Sequence, residues 1–199
     1  MKSAPAVLGL RAHSGWAALI ALAGPADAPQ VVDRRRIEMA EGEEAKQPYH
    51  AAEGLPLSKA SALLDRLAKR ACTRATEGLA AALEDLRGKG HAPTSAVILT
   101  ASGRPLPELE SVLASHALIH TADGEHFRDA LAEASRHHGL EVTRVREKDV
   151  LAQAAAALRR PGADVQAAVA AWGKPLGAPW TQDQKLSALG AWLALAGRK

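Results

Sequence analysis

Two apolar runs near the N-terminus, residues 7–10 and Trp16–Ala23, are separated only by a short polar break, Arg11, Ala12, His13 and Ser14, ahead of Gly15. A link this short joins neighbouring strands only as an antiparallel hairpin, with Ser14-Gly15 as its turn. Successive rather than alternate positions are apolar, so both faces of these strands require cover, as in a central strand between helix layers. Pro25-Ala-Asp-Ala-Pro29 supplies turn chemistry before a third strand over residues 30–39.

A second strong pattern follows a polar segment, 40–56, that reads as irregular and contains Tyr49 and His50. Ala60, Leu63, Leu64, Leu67, Ala71, Ala75, Leu79, Ala82, Leu83 and Leu86 recur at three- and four-residue spacing, the stripe of one long amphipathic helix. Ser58 is its expected N-cap, and Gly88 and Gly90 end it. About 30 residues at ~1.5 Å each span roughly 45 Å, enough to cross a whole sheet. A fourth strand, 96–100, is expected to stop at Ser102-Gly103 and Pro105. A short helix near 108–113 and an extended piece over 117–120 come next. Asp123 or Thr121 is then expected to cap a helix buried through Phe127, Ala130, Leu131 and Ala134 and closed by Gly139. Residues 140–145 read as a fifth strand, and 149–158, 164–172 and 181–196 as helices. The expected architecture is α/β, a mixed five-stranded sheet with three antiparallel strands and then parallel ones, flanked by helices. Residues 1–199 are expected to form one domain, with 161–199 a C-terminal helical portion packed on it.

Composition narrows the classes. At 199 residues with 24% charged side chains the chain is of ordinary globular make-up, and no apolar run approaches the ~20 residues of a spanning helix. The apolar N-terminal segment is interrupted by Arg11, which argues against a secretory signal. A single cysteine, Cys72, precludes an internal disulfide framework and suits a reducing cytoplasm. Its helical context marks it as a small core residue. The net charge of +3 is compatible with nucleic acid without requiring it. No GxxxxGK[ST], GxGxxG, CxxC or HExxH occurs, and no cofactor is expected.

The element order is the ground plan of the ribonuclease H superfamily, and four stretches carry a closer resemblance. "VLGLRAHSGWAAL", "AVILTA", "RDALAEASRHHGLEVTRVREKDV" and "TQDQKLSALGAWLAL" resemble the first hairpin, the fourth strand, the helix–glycine–strand unit and the final helix of RuvC-type Holliday-junction resolvases. The resemblance implies a carboxylate cluster holding divalent cations. Arg11 stands where the first-strand Asp belongs, and Thr100 occupies the fourth-strand position. Asp183 remains near the last-helix site, with Lys185 two residues on. An arginine places a fixed positive charge where a cation would sit, so metal-dependent nuclease activity is not expected. "GLRAHSGW" also lacks the Asp, and has too little glycine, for the phosphate loop of kinase-like branches.

Three functional readings follow. The first is a non-catalytic domain binding nucleic acid or a protein partner. Arg11, His13, Thr100, Asp183 and Lys185 then form its pocket or anion site, and Arg11 pairs with a carboxylate such as Asp183 or contacts an anion. Arg34, Arg35 and Arg36 on an edge strand, with Arg144 and Arg146 on one face of the fifth strand, are its candidate basic contacts. The second is an enzyme with a relocated site using His13, His120, Asp123 and Asp183. The third is a homodimer or other self-assembly through alanine-rich C-terminal helices. His116, His120 and His126 with Asp123 read as a capped helix start; as metal ligands, His120 and Asp123 fit no standard zinc spacing. His13 reads as exposed loop, His137 and His138 as a helix C-terminus, and Trp172, Trp180 and Trp192 as packing anchors.

Overall fold

The computed structural model describes residues 3–101 and 105–197. In chain order the elements are β1 (Ala4–His13), β2 (Trp16–Ala23), β3 (Gln30–Glu38), α1 (Glu43–Lys46), α2 (Pro48–Ala52), α3 (Leu57–Gly88), β4 (His91–Thr100), α4 (Leu109–Leu113), α5 (His116–His137), β5 (Glu141–Arg146), α6 (Glu147–Leu158), α7 (Gly162–Leu176) and α8 (Gln182–Ala196). The sheet runs β3-β2-β1-β4-β5, with β1, β2 and β3 antiparallel and β1, β4 and β5 parallel. This is the expected mixed five-stranded sheet. Gly15 closes the first hairpin at φ 84°, a conformation that a side chain disfavours.

Strand alternation divides the core into two layers. Leu8, Leu10, Leu19 and Ile98 face α3 and α5, whereas Val7, Ile20, Leu22, Val97 and Leu99 face α6, α7 and α8. Every one of the ten stripe positions read from α3 is buried. Trp192 is 1% exposed and packs 4.8 Å from Trp172, and Trp180 donates to the Val169 carbonyl. In α8 the small residues Ala188, Gly190 and Ala191 are buried against the sheet and bring the helix backbone close to it. No helix among the described residues is long and apolar enough to cross a membrane.

Several expected boundaries are corrected. Residues 40–56 hold two short helices, α1 and α2, the second opened by Pro48 at a position where a missing N–H costs nothing. The long helix begins at Leu57 after Pro56, so Ser58 lies inside it and makes no cap. The extended piece at 117–120 is instead the start of α5, and Asp123 sits buried in its second turn rather than capping it. Helix α6 starts at Glu147, and α7 runs from Gly162, just after Pro161, through Pro175 to Leu176. Strand β4 extends back to His91. His13 is the last residue of β1, not loop. The expected Ser102-Gly103 stop lies outside the described residues.

Candidate functional site

Parallel strands joined by helical crossovers bring strand carboxyl ends and helix N-termini to one edge of the sheet. Ligands of open α/β sheets bind there, where strand order reverses. Here that point lies between β1 and β4, and Arg11 is paired in register with Leu99 at it. The N-termini of α5, α6 and α8 reach the same edge.

Arg11 is held by carboxylates from two helices. Its Nη1 donates to Asp183 Oδ1 of α8, its Nη2 donates to Glu147 Oε2 of α6 at 3.1 Å, and its Nε makes an ion pair with Glu147 Oε1 at 3.0 Å without hydrogen-bond alignment. His13 Nε2 lies 2.5 Å from Arg11 Nη1 and 2.8 Å from Asp183 Oδ1. One tautomer of His13 accepts from Arg11 and the other donates to Asp183. Asp183 owes its place to a capping box, in which Thr181 Oγ1 accepts from Asp183 N–H and Gln184 Oε1 accepts from Thr181 N–H. His13 also stacks on Trp16, 4.4 Å away and nearly parallel, and the Arg36 guanidinium lies 4.1 Å over the same indole.

Beside this group is a cleft of about 270 Å³ lined by Arg11, His13, His50, His120, Asp123, Arg128 and Glu147, among others. On its far wall Asp123 Oδ1 accepts from Tyr49 N–H at 2.7 Å, and Asp123 Oδ2 lies 2.5 Å from His50 Nδ1. Arg128, buried, donates to the Leu99 carbonyl and to Glu125. His126 turns away into the core against Tyr49 and Phe127. Burial pushes its imidazole below the ordinary 6.5 against the opposing pull of Asp123 and Asp129.

The sequence-derived candidates therefore separate. Arg11, His13 and Asp183 are in contact, and His120 and Asp123 line the adjoining cleft with Arg11 and His13. Asp183 does not join the histidines of α5. Thr100 is buried at the end of β4, and Lys185 is half-buried on α8 outside the Arg11 contacts. Arg34 donates to carbonyls of residues 176–179, Arg35 pairs with Asp33 and Asp85, and Arg36 pairs with Glu38. Arg144 pairs with Glu125 and Asp129, and Arg146 with Asp149. His138 contacts the Thr76 carbonyl at 2.9 Å. Burial pushes the Cys72 thiol above 9.0, unlike an activated nucleophile. Sequence reasoning missed His50, Glu147 and Arg128. Glu147 had a usable signal, an acidic residue at a helix start directly after a parallel strand; His50 had none.

Burial by itself would push the Asp183 carboxyl up, but its hydrogen bond and charge interaction with His13, together with Arg11, hold it below the ordinary 3.8. Its contribution to stability is complete above the unfolded value and is lost as pH falls through the lower folded one. Lowering the pH from about 5 to about 3 is expected to reduce the melting temperature more in the wild type than in Asp183→Asn, read by circular dichroism. Equal shifts in the two proteins would remove Asp183 from the acid response.

No family model matches the chain, and no curated protein matches it. Among solved structures, two of Thermus thermophilus RuvC are similar, one of them in complex with a Holliday junction substrate. Each is 13% identical with a TM-score of 0.54, over 96% of this chain and 92% and 96% of their own. At that identity the likeness is one of fold, and it settles the architecture: this chain has the ribonuclease H-like fold in the arrangement seen in RuvC.

Proposed function

We propose that the chain is a ribonuclease H-like domain that binds a nucleic-acid structure without hydrolysing it by the two-cation route. One observation carries this reading: the Arg11 guanidinium lies between Asp183 and Glu147 at the carboxyl end of β1. Two carboxylates that could hold divalent cations hold a guanidinium instead, and a fixed charge at hydrogen-bond distance competes with any cation for the same oxygens. The partner class rests on the fold and on the surroundings of Arg11. The solved RuvC complex contains a Holliday junction. In this chain Arg36, Trp16, His13 and Arg11 form a continuous line of cationic and aromatic groups past the site. With the indole held between His13 and Arg36, such a line offers guanidinium groups to phosphates. Exposed pairs such as Arg36 with Glu38 and Arg146 with Asp149 are worth only about 0–1 kcal/mol, so a phosphate can displace the carboxylate.

Fluorescence anisotropy with branched and single-stranded DNA tests this. Binding is expected to weaken with rising salt, and Arg36→Glu is expected to lower the affinity and reduce the log–log salt slope by about 1. Added Mg²⁺ or Mn²⁺ is expected to produce no cleavage. Absence of binding at low salt, or cleavage abolished by Asp183→Asn, overturns the proposal. The latter result would favour the second reading, a relocated enzyme site. That reading draws its support from the His13–Asp183 contact at 2.8 Å beside a cleft that also holds His120 and Asp123.

A further inference from the structure

We infer that His50, His116 and His120 form a binding site for a borderline divalent transition metal, Zn²⁺ in the first instance, with Asp123 orienting His50. This inference is independent of the nucleic-acid reading and of the Arg11 group. One ligating atom from each of the three rings lies within 4.8 Å of those from the other two. His116 and His120 are four residues apart on α5, so they share a helix face, and their Nε2 atoms are 3.1 Å apart. Two nitrogens bound at ~2.05 Å to a tetrahedral ion are separated by about 3.3 Å, close to that distance. The ring centroids are 4.5 to 5.4 Å apart and steeply inclined to one another. Three imidazoles converging on one tetrahedral ion place their centroids about 5 Å apart, whereas stacked rings would lie parallel.

The second observation is Asp123. Its side chain is 8% exposed, and a carboxylate so buried requires partners. One oxygen takes the Tyr49 N–H and the other faces His50 Nδ1. That bond protonates His50 at Nδ1 and leaves Nε2 as a lone-pair donor, the carboxylate–histidine arrangement that orients ligands in metal sites. Without an ion, His116 Nε2 and His120 Nε2 satisfy each other only if one is the donor, and a ring nitrogen of His50 lies within 4.8 Å of the ligating atoms of both. A cation satisfies all three. Three imidazoles select a borderline metal over Mg²⁺ or Ca²⁺, which prefer oxygen. Three protein ligands leave a tetrahedral ion one position for water or another ligand, in a group whose His50 and His120 line the cleft.

The test uses the full chain with any affinity tag removed, stripped by chelator and titrated with Zn²⁺ by calorimetry and with Co²⁺ by visible absorption. One equivalent is expected to saturate at micromolar protein, with the Co²⁺ spectrum of a tetrahedral site. His116→Ala and His120→Ala change exposed side chains, so their melting curves without metal are expected to match the wild type while saturable binding is lost. Asp123→Asn is expected to weaken binding by about 10–100-fold. Absence of binding, or binding that survives both histidine substitutions, overturns the inference.

Discussion

Replacing Gly9 by alanine is expected to cost about 4 kcal/mol or more, most of the stability of a domain at the low end of the usual 5–15 kcal/mol range. Gly9 sits in the central strand, paired with Ile20 of β2 on one side and Val97 of β4 on the other, so β1 cannot shift without breaking two ladders. A Cβ placed there would lie 1.8 Å from the Ser187 carbonyl oxygen and 2.8 Å from the Ala191 backbone nitrogen. Both obstacles are helix backbone, which no rotamer change can move. Carbon and oxygen need roughly 3.3 Å, so α8 would have to retreat by roughly 1.5 Å. A gap of even 0.5–1 Å forfeits about a quarter to a half of the dispersion well for every facing atom. Here the loss would extend along Ala188, Ala191 and Trp192. Gly78→Ala is the control. Its Cβ would meet an Ile37 methyl at 2.8 Å, a side-chain obstacle, and alanine regains about 1 kcal/mol of helix propensity, so a cost below about 2 kcal/mol is expected. Chemical denaturation measures both. If Gly9→Ala costs no more than Gly78→Ala, the close seating of α8 on β1 is wrong.

This contact shows where the sequence was readable and where it was not. The α3 stripe was legible because a helix buries one face of a local repeat, and all ten positions lie inside. The first hairpin was legible because its break is too short for anything but an antiparallel link. The start of α5 was hidden for a physical reason. Its first turns bury Asp123 and His126 beside Ile119 and Ala122, so the inward face carries polar groups where a periodicity reading looks for apolar ones. The His50–Asp123 bond joins positions 73 residues apart, and no local pattern encodes it. Arg11 was different. Its position in the element order singled it out, and the structure places it against Asp183, 172 residues away. What element order could not supply was Glu147, because the strand-to-helix boundary there was read two residues late.

Arg11→Asp is expected to turn a chain whose melting temperature ignores Mg²⁺ into one that depends on it. The substitution removes the one positive charge that offsets Asp183 and Glu147 and adds a third carboxylate at the same strand end. Without a cation, three partly exposed carboxylates repel, and the melting temperature falls. The aspartate side chain is several bonds shorter than the guanidinium it replaces, which leaves a gap between it and Asp183. Mg²⁺ keeps several of its waters and uses only one or two carboxylates directly, so a gap of that kind suits it. A ligand at 100 times its Kd adds about 2.7 kcal/mol to the folded state, and a chain of this length gains about 2–4 °C per kcal/mol. Mg²⁺ or Mn²⁺ is therefore expected to raise the melting temperature of the variant by roughly 5–10 °C and to leave the wild type unchanged. Mg²⁺ is the informative ion because it prefers oxygen over imidazole, so the histidine group on α2 and α5 does not contribute to its signal. Identical responses in the two proteins would mean that Arg11 does not occupy a latent cation position. The Arg11 charge would then give no ground for a domain that binds without hydrolysing.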